Sequence, residues 1–364
     1  LLLSEAATSA LLQDIPQVSA FGPRPPPPPR APPPPPRVRV LWLLVAVLVM
    51  AVLAVASVAL GSRDVAWTDV WAALGGADDS LEQAAVAKRV PRTLLAMVIG
   101  AALGLAGGVM QGVTRNPLAD PGILGVNMGA SLSVVTAVAF FGLTSPTGYV
   151  WVAMAGAAVA AVFVYTVGSL GRGGATPLKL ALAGAATSAA FASLVSAVVL
   201  PRNDIAESFR LWQIGGVGGA SYERIWQVLP FLAFGFAVCL LSARALNSLA
   251  LGDELAAGLG ERVAVIRLTA ALGAVVLCGA STAVAGPIGF VGLVVPHACR
   301  LLVGVDHRWL LPFSALVGAS LMTAADVVGR VVARPADVEV GIVTALIGAP
   351  FFIHIVRRQK VRDL

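Results

Sequence analysis

Long apolar runs alternate with short polar ones along nearly the whole chain. Across residues 40–60 the only polar side chain is Ser57, and about 20 consecutive apolar residues are what a helix needs to cross a bilayer. Runs of this kind recur and predict ten helices, at residues 40–60, 93–113, 121–142, 149–170, 178–200, 226–246, 263–285, 288–303, 309–329 and 338–356. The eighth is short, with Pro296, His297 and Arg300 near one end, and reads as a partial span. Residues 1–39 differ in kind. Two five-proline runs, at 25–29 and 32–36, favour extended polyproline geometry without internal hydrogen bonds. The expected organisation is a disordered proline-rich tail over residues 1–39 and a transmembrane domain over residues 40–364. No basic stretch leads into an apolar one across residues 1–39, so no secretory signal is expected there.

Composition turns this pattern into a fold class. The 364 residues are 58% hydrophobic and 12% charged, whereas a soluble domain carries about twice that charged fraction. The class is all-α, a polytopic membrane protein of about ten transmembrane helices. The net charge of +6 does not point to nucleic acid, because the basic residues fall between apolar spans and form no patch interleaved with aromatics. With the tail on the cytoplasmic side, sixteen Lys and Arg lie on inner segments and nine on outer ones, the latter beside ten acids. That bias favours both termini inside. Cys239, Cys278 and Cys299 are far apart, show no C-x-x-C spacing and read as small buried hydrophobes.

The polar residues within the spans then limit the chemistry. A transporter driven by protons or sodium needs ionisable groups deep in the bilayer, and only Asp326 stands well inside a span. Arg330 follows four residues later, so a pair on one helix face is the simpler reading and proton coupling the other. His297, His307 and His354 are scattered, so no site for a bare metal ion is expected. The lysines are Lys88, Lys179 and Lys360, none after a glycine, so the chain lacks the phosphate loop of an ATPase. It is expected to perform no covalent chemistry. A partner ATPase would need a docking element, and the loop LALGDELAAGLGERV over residues 249–263 offers one. Asp253 is placed to cap a short helix, with Glu254 in its first turn, Leu255, Ala256 and Leu259 on one apolar face, and Gly260 ending it. That face could fill a groove on a partner or lie against its own bundle or the membrane surface. In the second helix Gly100, Gly104, Gly108 and Gly112 recur every four residues, a face for close helix packing.

Four strings carry a family resemblance: RVPRTLLAMVIGAALGLAGGVMQGVTRNPLADPGILGVNMGAS at 89–131, LALGDELAAGLG at 249–260, AGPIGFVGLVVPHACRLLVGVDHRWLLP at 285–312 and GIVTALIGAPFF at 341–352. Together they resemble permeases of the iron-siderophore and cobalamin ABC importer family, the FecCD type, from about the first helix to the C-terminus. The resemblance implies a type II importer permease fold in a bacterial inner or plasma membrane. It also implies a homodimer or a heterodimer with a paralogue, two ABC ATPase subunits using ATP and Mg below it, and a periplasmic or lipoprotein solute-binding protein above. No cofactor is bound directly. The cargo implied is a metal chelate, a ferric siderophore first and cobalamin or haem as alternatives, with an ion-coupled secondary transporter as the rival class.

Residue by residue, the resemblance places the ATPase-coupling element at Leu251, Gly252, Asp253, Glu254, Ala256, Leu259 and Gly260. Binding-protein docking falls to exposed arginines at Arg89, Arg92 and Arg330, and the cytoplasmic gate to Asn116, Leu118, Thr176 and Pro177. Where the family has Glu-Leu-Pro before the last helix, this chain reads Asp337, Val338, Glu339.

Overall fold

The computed structural model describes residues 34–171 and 176–360, and every regular element among them is a helix. The helices are α1 (Pro36–Ala59), α2 (Trp67–Leu74), α3 (Leu81–Thr114), α4 (Val126–Phe141), α5 (Pro146–Ser169), α6 (Pro177–Val199) and α7 (Asn203–Ile214). They continue as α8 (Tyr222–Leu241), α9 (Ala243–Leu249), α10 (Asp253–Gly258), α11 (Val263–Ala285), α12 (Val291–Val303), α13 (His307–Val332) and α14 (Val340–Lys360). Each of the ten expected spans has its helix, and α2, α7, α9 and α10 are short additions between them.

The boundaries differ from expectation where local chemistry overrides hydropathy. Helix α1 begins at Pro36, because a proline at the first helical position gives up an N–H that would have no helical partner anyway. The last proline of the second run thus belongs to the span; residues 1–33 of the expected tail lie outside the described residues. Helix α3 starts twelve residues early, at Leu81. Its N-terminus is capped by Ser80, whose hydroxyl accepts from the Gln83 N–H at 3.1 Å, so the charged stretch around Pro91 that reads as loop is helical. At 34 residues it is about 50 Å long and outreaches the hydrocarbon core. The third expected helix divides into a 3-10 turn (Pro121–Leu124) and α4, broken at Gly125 with φ 71°. The sixth ends at Ser242, whose hydroxyl donates to the Val238 carbonyl at 2.7 Å, and α9 follows as a separate helix.

Seven of the helices are long and apolar enough to cross a membrane, and α4, α12 and the first part of α14 are shorter apolar helices. Helix α3 is the most buried span and α1 the least; Leu41, Leu44, Leu48 and Val52 of α1 face outward. The glycine face of α3 meets α13. A Cβ on Gly100 would lie 2.3 Å from the Gly318 carbonyl oxygen and one on Gly104 2.4 Å from that of Ser314. Further along, Gly108 abuts Leu311 and Gly112 abuts His307. The missing side chains let two backbones approach so closely that their dispersion contacts accumulate along the whole crossing. On an adjacent face, Gly107 does the same for α12, where a Cβ would fall 1.9 Å from the Gly292 carbonyl oxygen.

Candidate functional site

Helix α10 lies at the end of the bundle where α3 stops and α11 begins. Its start is set by Gly252, at φ 113°, a conformation open to glycine and strained for other residues. Its end is a left-handed cap on Gly260 (φ 85°), with the Gly260 N–H donating to the Ala257 carbonyl at 2.9 Å and that of Glu261 to Ala256 at 3.1 Å. The apolar face expected of this helix divides. Ala256 is fully buried against the bundle, whereas Leu251, Leu255 and Leu259 are 58, 63 and 67% exposed. Asp253 is the first helical residue and makes no capping bond. Its carboxylate turns back and accepts from the guanidinium of Arg115, at the end of α3, and from that of Arg267 in α11 at 2.9 Å. Capping by Asp253 is therefore replaced by an ion-paired clip, because Gly252 already occupies the cap position.

The same end is secured elsewhere by Asp306, which caps α13 by accepting from the Arg308 N–H at 3.1 Å. Hydrogen bonds from the Arg308 side chain hold its carboxyl down to about 2. Asn247 of α9 donates to Asp306 at 2.7 Å and its carbonyl oxygen lies 2.8 Å from His307 Nδ1. Of the expected gate residues, Asn116 accepts the Leu118 N–H at 2.9 Å in a tight turn directly after Arg115. Thr176 caps α6 through the Lys179 N–H at 3.3 Å, with Pro177 at the first helical position.

At the opposite end the arginines expected to be exposed are turned inward. Arg89 is 6% exposed and donates to the carbonyls of Val58 at 3.2 Å, Ala59 at 2.8 Å and Arg63 at 2.7 Å. Arg330, 2% exposed, donates to Ser57 O at 3.0 Å, Leu60 O at 3.1 Å and Ser57 Oγ at 2.7 Å. Both satisfy the last carbonyls of α1, which have no helical partners of their own. Asp326, fully buried, pairs with Arg330 at 2.8 Å as its spacing predicts, and also with Arg92 at 2.9 Å, a partner 234 positions away in the chain. Arg92 reaches Asp337 at 2.8 Å, the first residue of the Asp-Val-Glu departure. The neighbouring Glu339 has its carboxyl pushed up by burial.

Between the two ends, a polar junction escaped the sequence reading. Pro296 of α12 has no N–H to give the Gly292 carbonyl four residues back. The Gln111 side chain of α3 supplies the missing donor, at 3.1 Å to Gly292 O and 3.3 Å to Leu293 O, while its own oxygen accepts from Arg300. A proline with a glutamine on another glycine-rich span is a weak signal in sequence, and only the fold brings the two together. Helix α12 is 13 residues, about 20 Å, too short to cross, as its partial-span reading expects. Asn127 of α4 similarly accepts from Thr282 of α11 at 2.9 Å. The three cysteines are buried and unpaired. Among the described residues no three His, Cys, Asp or Glu side chains group in a way that could hold a metal ion.

An apolar helical bundle, locked at one end by buried ion pairs and presenting at the other a short helix with exposed leucines beside it, defines a multi-pass membrane protein. The FecCD transport family model matches residues 43–358, and the chain belongs to that family. It is 46% identical over 271 residues to the ferric enterobactin transport system permease protein FepD of Escherichia coli K12, covering 74% of this chain and 81% of FepD. The hemin transport system permease protein HmuU of Yersinia pestis is 37% identical over 322 residues, 86% of this chain and 94% of HmuU. Among solved structures, a metal-chelate type ABC transporter chain in an inward-facing conformation superposes with a TM-score of 0.77 at 30% identity, covering 88% of this chain and 99% of that one.

Proposed function

We propose that this chain is the membrane-spanning subunit of an ATP-driven bacterial importer that passes a ferric siderophore into the cytoplasm. The observation that carries the reading is α10. A six-residue helix pinned by Ala256 and by the Asp253 ion pairs, yet with Leu255 on it and Leu251 and Leu259 beside it exposed at a polar end, is built to fill an apolar groove on another protein. Two ABC ATPase subunits, which bind and hydrolyse ATP with Mg, would dock there on the cytoplasmic side. Both termini would then be cytoplasmic, in the inner or plasma membrane, and a second permease subunit, identical or paralogous, would complete the pathway.

A solute-binding protein would meet the opposite end. Arg89, Arg92 and Arg330 serve that surface by fixing the end of α1 and the entry to α14, and Arg92, 13% exposed at its side chain, stands at its edge. The gate is assigned to the turn at Asn116 and Leu118 and to the α6 entry at Thr176 and Pro177. Their support is structural stiffness, since each turn is fixed by a side-chain hydrogen bond. Siderophore is preferred to haem because the match to FepD is the stronger in identity, and cobalamin follows as a third cargo.

The test is reconstitution in proteoliposomes with the cognate ATPase and binding protein, offering ferric siderophores, haem and cobalamin in parallel. ATP-dependent uptake of a ferric siderophore is the expected result. Uptake driven by a proton gradient without any ATPase would replace this reading with a secondary transporter.

A further inference from the structure

Helix α10 carries two acids with different surroundings. Glu254 is exposed, whereas Asp253 holds Arg115 and Arg267 at once. Three elements therefore meet on one carboxylate: α10 itself, the residue that caps the end of α3 and the second turn of α11. Arg115 is unusual in its own right. It ends α3 in the left-handed conformation, at φ 50°, which a side chain with a Cβ disfavours and which persists where surrounding contacts hold it. Arg115 also directly precedes the turn closed by Asn116 and Leu118. Beyond it, α3 is seated along α13 through its glycines, so a displacement of its end is passed to a rigid, close-packed pair of spans.

We infer that Asp253 is a positioning residue for transport: it ties α10 to the end of α3, so that a push on the outward leucines moves the Arg115–Leu118 turn. This inference rests on the ATP-driven reading proposed above. The ion pair is partly exposed, with side-chain accessibilities of 45% for Asp253 and 37% for Arg115, and such pairs add little to the stability of a fold. Its role is thus mechanical, and removing it leaves a folded protein to measure. Covering the same face with a partner withdraws water from the pair and strengthens it, which tightens the link when the ATPase is docked.

The experiment uses the complete transporter in proteoliposomes and compares wild type with Asp253→Asn, Asp253→Glu and Arg115→Gln. Three quantities are read: ATPase co-purification, ATP hydrolysis, and ferric chelate transported per ATP. Arg115→Gln is expected to keep the ATPase bound and active while chelate per ATP falls about fivefold or more, the scale of a typical energetic coupling between sites, and Asp253→Asn is expected to lower the same ratio. Asp253→Glu is expected to restore most of the ratio. An unchanged ratio in Asp253→Asn overturns the inference. So does loss of ATPase co-purification in that variant, which would make Asp253 a partner contact instead of an internal tie. Failure of the importer reading is seen separately, as absence of ATP-dependent uptake in wild type.

Discussion

Asp326 shows how far single residues can be read. Its spacing to Arg330 predicts the pair that forms, but not the second guanidinium, Arg92, which approaches from another helix. Removing a fully buried carboxylate that serves two arginines leaves their charges uncompensated, a loss of about 3–5 kcal/mol. Asp326→Asn is therefore expected to lower the thermal midpoint markedly in detergent, while the remaining uptake stays indifferent to a proton gradient. Proton-dependent uptake that vanishes in this variant alone would restore the coupling role. Gln111→Leu strips a donor from the Gly292 carbonyl and an acceptor from Arg300. A cost of about 2 kcal/mol is expected from the unsatisfied groups, readable as a downward shift of the same midpoint. Asp306→Asn tests the charge on the residue that caps α13. Its carboxyl is held down to about 2 from an ordinary 3.8, so its stabilisation is full above about pH 4 and is lost as pH falls through about 2. The variant keeps a capping oxygen and loses the charge that Arg308 faces, so it should have a lower thermal midpoint at neutral pH, with the difference closing in strong acid.

At the scale of elements, hydropathy found a helix for each of the ten expected spans, seven of them long and apolar enough to cross, because a bilayer demands about 20 apolar residues whatever the neighbours do. It misplaced the ends. Around Pro91 the chain is charged and carries a proline, so it reads as a loop, yet the capped N-terminus at Ser80 carries α3 through it. The glycine face of α3 was legible from its four-residue period, and its partner was not, since nothing in sequence states that α13 lies opposite. Gly107 also packs closely, outside that period, against α12. Gly107→Ala is expected to cost about 1–3 kcal/mol by overpacking, because the obstacle is the Gly292 backbone and no side chain can swing aside. Limited proteolysis or a thermal shift would register the loosening, and a wild-type midpoint would show that α12 can move away.

For the whole molecule, α10 is the proposed meeting point with an ATPase partner. Its existence, its end at Gly260 and its apolar residues are legible in the loop sequence. The division of those residues into a buried Ala256 and exposed Leu251, Leu255 and Leu259 is not, because it depends on which side α9 and α11 cover. Leu255→Ser with Leu259→Ser is expected to weaken ATPase association at least tenfold, as for loss of apolar anchors at an interface centre. The fold should be unaffected, since neither side chain is buried. Co-purification and a thermal midpoint measured together separate the two effects, and retained association would send the docking site elsewhere.

The sequence by itself determined the solvent of this protein, the places of its apolar helices and the close-packing face of α3, since each follows from local composition and period. Together with four matching strings it also determined the family. Only the tertiary structure decided what the charged residues do. Burial turned Arg89 and Arg330 from outward contacts into caps for α1, and brought Asp326 within reach of Arg92. At a partly exposed position, proximity in the fold made Asp253 a clip between helices where the sequence suggested a cap. For Arg89, Arg330 and Asp326 the physical reason is that a charge in a low-dielectric bundle must find a partner; in every case the partner is chosen by three-dimensional proximity, which the order of residues along the chain does not contain.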